Sequence, residues 1–334
     1  MAGTRQPPGT HAAPGTPARA TTASPRLSRD VWRERERRHQ DRADALTLGH
    51  RERKQRGQRH PVEDFLWTYY SVKPSELRRW HPGADLVLEH AQDRATWRYY
   101  AIVDGDGGDE DGGAARIDLD AFFARRASTV DYVETLLRAT LDRTPQFGCF
   151  GLHEWAMVYR LGPEQVRHAG LPLRIGHAET DAVVASHRIA CSHFDAYRFF
   201  TPEAVELNTL RPTREAQPAF EQSACLHAGM DVYKWAAKLG PIIPGEILLD
   251  AFVLARDIRE VDMRASPYDV RGYFGADGRP LEPIPIETAD GKRSYAALQR
   301  GFADRGNALR LRTLEAIATA RAAQAREATR GDGA

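Results

Sequence analysis

Residues 247–269 read ILLDAFVLARDIREVDMRASPYD, and their apolar side chains recur at the spacing of an α-helix. Intervals of three and four residues place these side chains in one stripe along the helix surface. The stripe consists of Ile247, Ala251, Leu254, Ile258 and Val261. Such a stripe predicts a helix that buries one face against the rest of the protein.

Helical patterns also dominate the chain outside this segment. Residues 213–264 are rich in helix-forming positions, and residues 292–328 predict a pair of Ala- and Arg-rich amphipathic helices. Short strand candidates occur only at 85–88 and 97–102. The sequence therefore predicts an α+β fold that is predominantly helical, with a small number of short strands.

The two ends of the chain differ in composition from its body. Residues 1–28 are rich in Pro, Gly, Ala and Thr, which predicts a disordered tail. Residues 29–59 alternate positive and negative charges, which predicts a basic, largely exposed helical arm. Residues 60–328 are predicted to form a single globular catalytic domain, and residues 329–334 a second disordered tail.

Charge and composition limit the classes of protein that fit. Residues 1–60 contain 14 Lys or Arg against 6 Asp or Glu, whereas the whole chain has a net charge of +1, so the body is mildly acidic. A basic arm can neutralise DNA phosphates without reading a sequence; a solvated charged helix is the alternative. No apolar run is long enough for a membrane span or a secretory signal, so we expect a cytoplasmic protein. The 3 cysteines form no CxxC pair, which favours reduced thiols over a disulfide framework.

Candidate functional residues are concentrated in four segments, which combine histidines and carboxylates with aromatic side chains. The segments are FGCFGLHEWAMVYR (147–160), HRIACSHFDAYRFF (187–200), CLHAGMDVYKWAAK (225–238) and the opening stretch at 247–269.

The segment 187–200 is interpreted as extended. On a strand, Cys191, His193, Asp195 and Tyr197 would share one face. In 225–238, a helix would carry two polar side chains four residues apart on one face. Those two are His227 and Asp231, and we expect the polar face of 187–200 to look toward them.

Five segments together resemble a family of actinobacterial proteins labelled 3-methyladenine DNA glycosylases. They are PVEDFLWTYYSVKPSELRRWHPG (61–83), FGCFGLHEWAMVYR (147–160), SHFDAYRFF (192–200), CLHAGMDVYKWAAKL (225–239) and LARDIREVDMRASPYD (254–269), and the resemblance spans about residues 50 to 305. The resemblance implies a hydrolase that removes an alkylated base from DNA with carboxylate-activated water and no cofactor. The chain has no helix-hairpin-helix motif with a following aspartate, so site residues are assigned from their chemistry alone.

On this hypothesis, Asp195 or Asp231 activates the water, and Glu154 is a further carboxylate able to act as base. His193 and His227 would orient the carboxylates. Aromatic side chains would line the base pocket, because a cationic alkylated base favours aromatic and acidic walls. The predicted pocket residues are Trp155, Tyr197 and Tyr233.

Two alternatives stay open. A metal-dependent enzyme, such as a non-haem iron oxygenase or a hydrolase acting on a small molecule, would hold Zn or Fe with imidazole and carboxylate ligands. The candidate ligands are His187, His193, His227 and Asp231. In the other alternative, the protein is non-catalytic and binds nucleic acid through residues 30–59.

Overall fold

A computed structural model describes residues 24–103, 113–166 and 170–331. Helices dominate it, with one small sheet, so the predicted fold class is confirmed. The helices are α1 Arg29–Gln55, α2 Asp64–Tyr69, α3 Pro74–Leu77, α4 Leu119–Asp142, α5 Leu152–Ala156, α6 His177–Ala185, α7 Phe194–Tyr197, α8 Pro202–Val205, α9 Gln217–Phe220, α10 Leu226–Leu239, α11 Gly245–Ala265 and α12 Ala289–Gly331. The strands are β1 Arg26–Leu27, β2 Val87–Leu88, β3 Tyr100–Val103 and β4 Ala114–Ile117, and short 3-10 helices span Gln92–Thr96, Pro163–Gln165 and Gly240–Ile242.

Helices α10 and α11 form the centre of the protein and pack along each other. The whole apolar stripe predicted for α11 is buried, which confirms that interpretation. Gly229 of α10 permits the close approach, because a Cβ at this position would lie 2.7 Å from Ile258 Cδ1. Helix α12 packs against α4, α10 and α11. This four-helix core carries two of the segments that supply the candidate site.

The C-terminal segment is one continuous helix, so the predicted pair of helices is wrong. Its buried side chains, from Tyr295 through Phe302 and Leu309 to Ile317, continue without a break along α12. Because this buried stripe keeps facing the core along the whole segment, nothing forces the chain to break into the two predicted helices. Residues 329–331 belong to this helix rather than to a tail, and residues 332–334 lie outside the described part.

The sheet also corrects the N-terminal boundary. Its strand order is β1-β2-β4-β3, in which β1 pairs in parallel with β2 and the other pairs are antiparallel. Residues 26–27 therefore form an edge strand rather than the end of the predicted tail of residues 1–28. Ser24 Oγ donates a hydrogen bond to Asp85 Oδ1 at 2.9 Å, which also fixes this segment. The rest of the predicted tail, residues 1–23, lies outside the described part.

Helix α1 covers most of the predicted helical arm at 29–59, and most of its side chains are exposed or half-buried, but one stripe packs against the folded body instead of standing apart from it. A stripe along it is buried against α3 and α11, and the stripe consists of Trp32, Glu36, His39, Ala43 and Thr47. Most of the stripe is polar, which is why a search for apolar periodicity misses it. The polar members have buried partners: Glu36 binds Arg33 and Arg94, and His39 Nε2 lies 2.9 Å from the carbonyl oxygen of Leu77, although His39 Nδ1 has no hydrogen-bond partner among the described residues.

Most arginines of α1 form ion pairs with carboxylates of the protein itself, including pairs with α11. Arg35 reaches Glu246 at 3.0 Å and Arg42 reaches Asp250 at 2.8 Å. DNA binding through this helix stays a prediction. Among the described residues, no helix is long and apolar enough to cross a membrane.

Candidate functional site

A pocket of about 500 Å³ opens beside the core helices, which is a size typical of ligand sites. Helix α2 supplies aromatic side chains to the pocket wall, and α5 supplies a carboxylate. The α7 region supplies a carboxylate and a guanidinium, and α10 and α11 supply one residue each. The lining residues are Phe65, Thr68, Tyr69, Glu154, Met157, Asp195, Arg198, Phe199, His227 and Arg259.

Helix α5 is short and buried on every side, and this brings two polar residues into the interior. It begins after Gly151, whose φ of 73° lies in the left-handed region that glycine adopts readily. His153 and Glu154 follow each other on this helix and diverge by roughly 100°. Because no face of α5 meets solvent, both side chains find buried partners.

The first group of buried polar residues, here called the His153 cluster, consists of His153, Glu154, His227, Arg259 and Asp262. His153 Nε2 lies 2.9 Å from Asp262 Oδ1, and its Nδ1 lies 3.6 Å from Cys149 Sγ. Arg259 Nη1 donates to Glu154 Oε1 and to Asp262 Oδ2, both at 3.2 Å. A guanidinium thus occupies the place between the two carboxylates.

Protonation differs sharply within the His153 cluster. Burial opposes the charge on His153, but the charge and hydrogen bond of Asp262 outweigh it and raise the pKa of His153 well above its ordinary value. Burial, followed by the charge of Asp262, raises the pKa of Glu154, with Arg259 opposing. Burial and the neighbouring charge of His153 hold the pKa of His227 well below its ordinary value. His227 is therefore a neutral imidazole near neutral pH.

The second group, here called the His193 cluster, consists of His193, Asp195, Glu221, Asp231 and Lys234. His193 Nε2 lies 3.3 Å from Glu221 Oε1 and 3.4 Å from Asp231 Oδ2. Lys234 Nζ donates to Asp231 Oδ2 at 2.9 Å and to Asp195 Oδ2 at 3.2 Å. The members form a continuous chain of opposite charges.

The His193 cluster is held in its charged form. Burial opposes the charge on His193, yet the carboxylates of Asp231 and Glu221 beside its ring raise its pKa to about 9. Burial acts against the carboxylate of Asp231, but Lys234 and His193 outweigh it and lower the pKa of Asp231. Burial likewise opposes ionisation of Asp195, and Lys234 overcomes it and lowers that pKa. Lys234 stays protonated, because Asp231 and Asp195 outweigh its burial and raise its pKa.

His227, a member of the His153 cluster, also lies beside the His193 cluster. Its ring centroid is 4.4 Å from that of His153 and 5.3 Å from that of His193. Among the described residues, its Nδ1 has no hydrogen-bond partner, and its side chain lines the pocket. A neutral imidazole with a free ring nitrogen can accept a proton, bind a ligand or hold a metal ion.

Two sets of described residues have the donor atoms of a metal site within 4.8 Å of one another. One set is His153, Glu154, His227 and Asp262, and the other is His193, Glu221 and Asp231. The donor types fit Zn or Fe. Each set is already neutralised by cations of the protein, Arg259 and protonated His153 in the first, protonated His193 and Lys234 in the second. A divalent ion would therefore have to displace or deprotonate them.

The residues predicted to act on water separate into two environments. Asp195, Glu154 and His227 line the pocket. Asp231 and His193 lie behind its wall, with side chains only 2% and 1% exposed. Asp231 Oδ1 accepts a hydrogen bond from Tyr70 at 3.2 Å, and its other oxygen accepts from Lys234. Asp231 therefore does not line the pocket, and its predicted role as a water activator stays a prediction that this pocket does not support.

None of the aromatic residues predicted for the base pocket lines it. Trp155 is fully buried and donates its indole N–H to the carbonyl oxygen of Ala265 at 2.8 Å. Tyr233 is buried with ring centroids 5.5 Å from Tyr70 and 5.3 Å from Phe252. Tyr197 packs against Phe200 instead. The corresponding part of the wall comes from α2, through Phe65 and Tyr69, and from Phe199.

His187 does not join the other predicted metal ligands. It follows helix α6, its Nδ1 lies 2.6 Å from the carbonyl oxygen of Val183, and it lines a separate groove with Arg188 and Leu210. The remaining predicted ligands are also divided, because His227 belongs with His153 whereas His193 belongs with Asp231. The predicted set of four is therefore wrong as a single site.

The interpretation of residues 187–200 as a strand is wrong too. Only Ile189 forms an isolated bridge, with Asn208, and residues 194–197 are helical. The Asn208 side chain accepts from the Cys191 backbone N–H at 2.7 Å and donates to its carbonyl at 3.0 Å. An amide side chain thus satisfies the backbone groups that a neighbouring strand would otherwise bind.

Three residues of the clusters were missed at the sequence level: Glu221, Arg259 and Asp262. A signal for one of them exists, because Asp262 follows Ala251, Ala255 and Ile258 at helical intervals and so continues an apolar row of α11. A carboxylate in such a row must find a buried partner.

Comparisons with known proteins add no assignment: no protein-family model, no curated protein and no solved structure matches the chain.

Proposed function

We propose that the protein is a hydrolase that removes an alkylated base from DNA, and that the base enters the pocket lined by Phe65, Tyr69 and Phe199. The observation that carries the proposal is the composition of this wall, in which aromatic rings stand beside the carboxylates of Glu154 and Asp195. The resemblance of the sequence to proteins labelled 3-methyladenine DNA glycosylases supports the same reaction.

The wall offers aromatic and acidic surfaces to a planar base, beside the guanidiniums of Arg198 and Arg259. Phe65 and Tyr69 are stacked on each other, with ring centroids 5.0 Å apart and planes inclined by 11°. Base-flipping enzymes stack the extruded base on aromatic side chains and recognise its edge with polar groups. An N3-methylated adenine carries a positive charge, so aromatic faces and an ionised Asp195 both favour it over an unmodified base. Lys234 keeps that aspartate ionised.

The two pocket carboxylates fit different roles in cleavage of the bond between C1′ of the sugar and the base nitrogen. As the bond breaks, the nitrogen keeps the electron pair, which cancels the charge of the alkylated base and leaves C1′ electron-poor. The ionised Asp195 stabilises this developing positive charge. A water oxygen then bonds to C1′, and its proton passes to the Glu154 carboxylate. The raised pKa of Glu154 makes that carboxylate the stronger base of the two.

The test is release of 3-methyladenine from methylated duplex DNA by the purified full chain, measured by chromatography in the presence of a chelator. We expect Glu154→Gln and Asp195→Asn each to lower the rate by roughly 10²- to 10⁴-fold. Glu203→Gln, a matched change at an exposed position of α8, should leave the rate unchanged. No release above background by the unmodified protein would refute the proposal.

A metal-dependent enzyme acting on a small molecule is the second candidate, and the four donors around His227 favour it. Elemental analysis of the purified protein tests it, with His227→Gln and His187→Gln as a matched pair. This candidate requires close to one equivalent of Zn or Fe, lost in His227→Gln and retained in His187→Gln. A content below about a tenth of an equivalent per chain would eliminate it.

A further inference from the structure

A second groove, of about 350 Å³, lies beside the pocket between helices α4, α9 and α10. We call it the basic groove, because the charged side chains of its lining are all cationic. The lining residues are Ser128, Thr129, Tyr132, Arg214, Gln217, Lys234, Trp235 and Lys238.

The lysines of the basic groove are presented by one face of α10. Lys234 and Lys238 are one helical turn apart and flank Trp235, with their Nζ atoms 4.6 and 5.2 Å from its ring centroid. Arg126 of α4 adds a third cation by donating to the carbonyl oxygen of Lys238. The aromatic ring holds the lysine stems in place, so the ammonium groups are presented at a defined position.

Ion pairs connect the basic groove to the pocket. Lys234 Nζ lies 3.2 Å from Asp195 Oδ2, and Arg214 lies 3.3 Å from Asp195 Oδ1. Asp195 lines the pocket, and two of its three cationic partners, Lys234 and Arg214, line the groove, whereas the third, Arg198, lines the pocket. A ligand with one group in the pocket and an anionic group attached to it would therefore bring that anion to the groove.

Positive charge is in excess at the Lys238 end. Lys234 and Arg214 both form ion pairs with Asp195, and Lys234 forms a second ion pair with Asp231. The exposed Lys238, in contrast, lies near other cations. Burial and then the charge of Lys234 lower the pKa of Lys238, with Arg126 and Arg214 adding to the effect and Asp231 opposing it. A bound anion would relieve this repulsion.

We propose that the basic groove binds a backbone phosphodiester of the DNA strand whose base enters the pocket, with Lys238 and Arg214 as its principal contacts. The placement would give an acidic body a cationic contact for DNA next to the pocket, apart from the arginines of α1, most of which pair with carboxylates of the protein. The identity of the base rests on the proposed function, but the phosphodiester contact does not.

The experiment measures binding of a fluorescein-labelled duplex that carries a non-cleavable tetrahydrofuran abasic site, by anisotropy over a range of salt concentrations. Loss of one phosphate contact makes the slope of log K against log salt shallower by about 0.7–0.9. In Lys238→Gln we expect this shallower slope and a several-fold higher Kd. In Lys238→Arg we expect the slope and the Kd of the unmodified protein. Lys54→Gln, which removes an exposed lysine from α1, should behave as the unmodified protein.

Two outcomes would overturn the proposal: Lys238→Gln with an unchanged slope and Kd, or Lys54→Gln with a loss as large as that of Lys238→Gln. Binding of free 3-methyladenine, followed by calorimetry, should be the same in Lys238→Gln and the unmodified protein, which separates a groove defect from a damaged pocket. If the protein excises no base but the Lys238-dependent slope is present, the proposed function fails and the groove assignment stands.

Discussion

The His153 cluster and the His193 cluster are built from the same types of residue but differ in how they meet the pocket. Each combines histidine, carboxylates and a cation of the protein in a buried position. The His153 cluster exposes Glu154, His227 and Arg259 to the pocket, whereas the His193 cluster exposes Asp195 alone.

The electrostatic difference follows from partner geometry. In the His193 cluster, Asp195 and Asp231 meet cations directly, so the pKa of each of these two carboxylates falls and those of His193 and Lys234 rise. These four residues stay charged. In the His153 cluster, the pKa of Glu154 rises and that of His227 falls, so both are displaced toward their neutral forms. Environments that shift titratable groups in this way are typical of acid and base roles. We therefore assign proton transfer to the His153 cluster and positioning of Asp195 to the other.

The largest expected effect concerns the buried charge of the His153 cluster. Asp262→Asn removes the carboxylate that neutralises His153 and Arg259, and breaking a buried pair costs about 3–5 kcal/mol. Urea unfolding at neutral pH measures the loss. Asp250→Asn is the matched control on the same helix, because Asp250 pairs with Arg42 and Arg312 at the surface, where a pair contributes about 0–1 kcal/mol. Equal losses in the two variants would show that burial does not distinguish these pairs.

The second prediction concerns the locked charge of His193. Its folded pKa, about 9, lies above the ordinary value of 6.5. The stabilisation is therefore complete below pH 6.5 and is lost as the pH rises to 9. It amounts to at most about 3 kcal/mol, at roughly 1.4 kcal/mol for each pH unit. In His193→Gln, the unfolding free energy should decline less between pH 6.5 and 9, because the contribution of His193 is removed. The decline that comes from His153 should persist.

The control for this measurement is His187→Gln, which removes a histidine outside both clusters. Its unfolding free energy should decline between pH 6.5 and 9 as steeply as that of the unmodified protein. Parallel curves for His193→Gln and His187→Gln would mean that His193 is not held in its charged form.

How much of this arrangement the sequence predicts depends on the range of the interactions. The α11 stripe was predicted from local periodicity, and the strand candidates at 85–88 and 97–102 overlap β2 and β3 for the same reason. The partnership of His153 with Asp262 joins residues 109 positions apart, and no local pattern encodes it. The polar stripe of α1 was missed for a related reason, since Glu36 is buried only because Arg94 meets it.

The wrong strand prediction at 187–200 also comes from an interaction that the local sequence does not encode. Alternation of polar and apolar residues predicts extended structure only where a neighbouring strand is present to bind the backbone. Here Asn208 takes that place with its side chain, which fixes Cys191 and lets the chain turn into α7 directly afterwards. His193 still reaches Asp231, and Asp195 still reaches Lys234. The two segments therefore meet as expected, although the backbone of 187–200 is not a strand.

The third prediction tests which cluster exchanges protons. If Glu154 accepts the proton from water, the acid limb of kcat/KM for base release should lie above the ordinary glutamate pKa, because burial and Asp262 raise the pKa of Glu154. Glu154→Asp should retain a limb with reduced rate, and Glu154→Gln should abolish the limb. An acid limb below the ordinary value would instead point to Asp195, whose pKa is lowered.

The smallest expected effect concerns the contact between His153 and Cys149, which should matter less than the ion pair between His153 and Asp262. His153 Nδ1 meets the sulfur of Cys149 at 3.6 Å, and sulfur is a weak acceptor compared with the Asp262 carboxylate on the other ring nitrogen. Cys149→Ser keeps an acceptor at that position and should change the unfolding free energy by less than about 1 kcal/mol, whereas Cys149→Ala should cost about 1 kcal/mol. Both are measured by urea unfolding beside Asp262→Asn. If Cys149→Ala costs as much as Asp262→Asn, His153 is held by its hydrogen bonds alone, and the contrast between a proton-exchanging and a locked cluster loses its electrostatic basis.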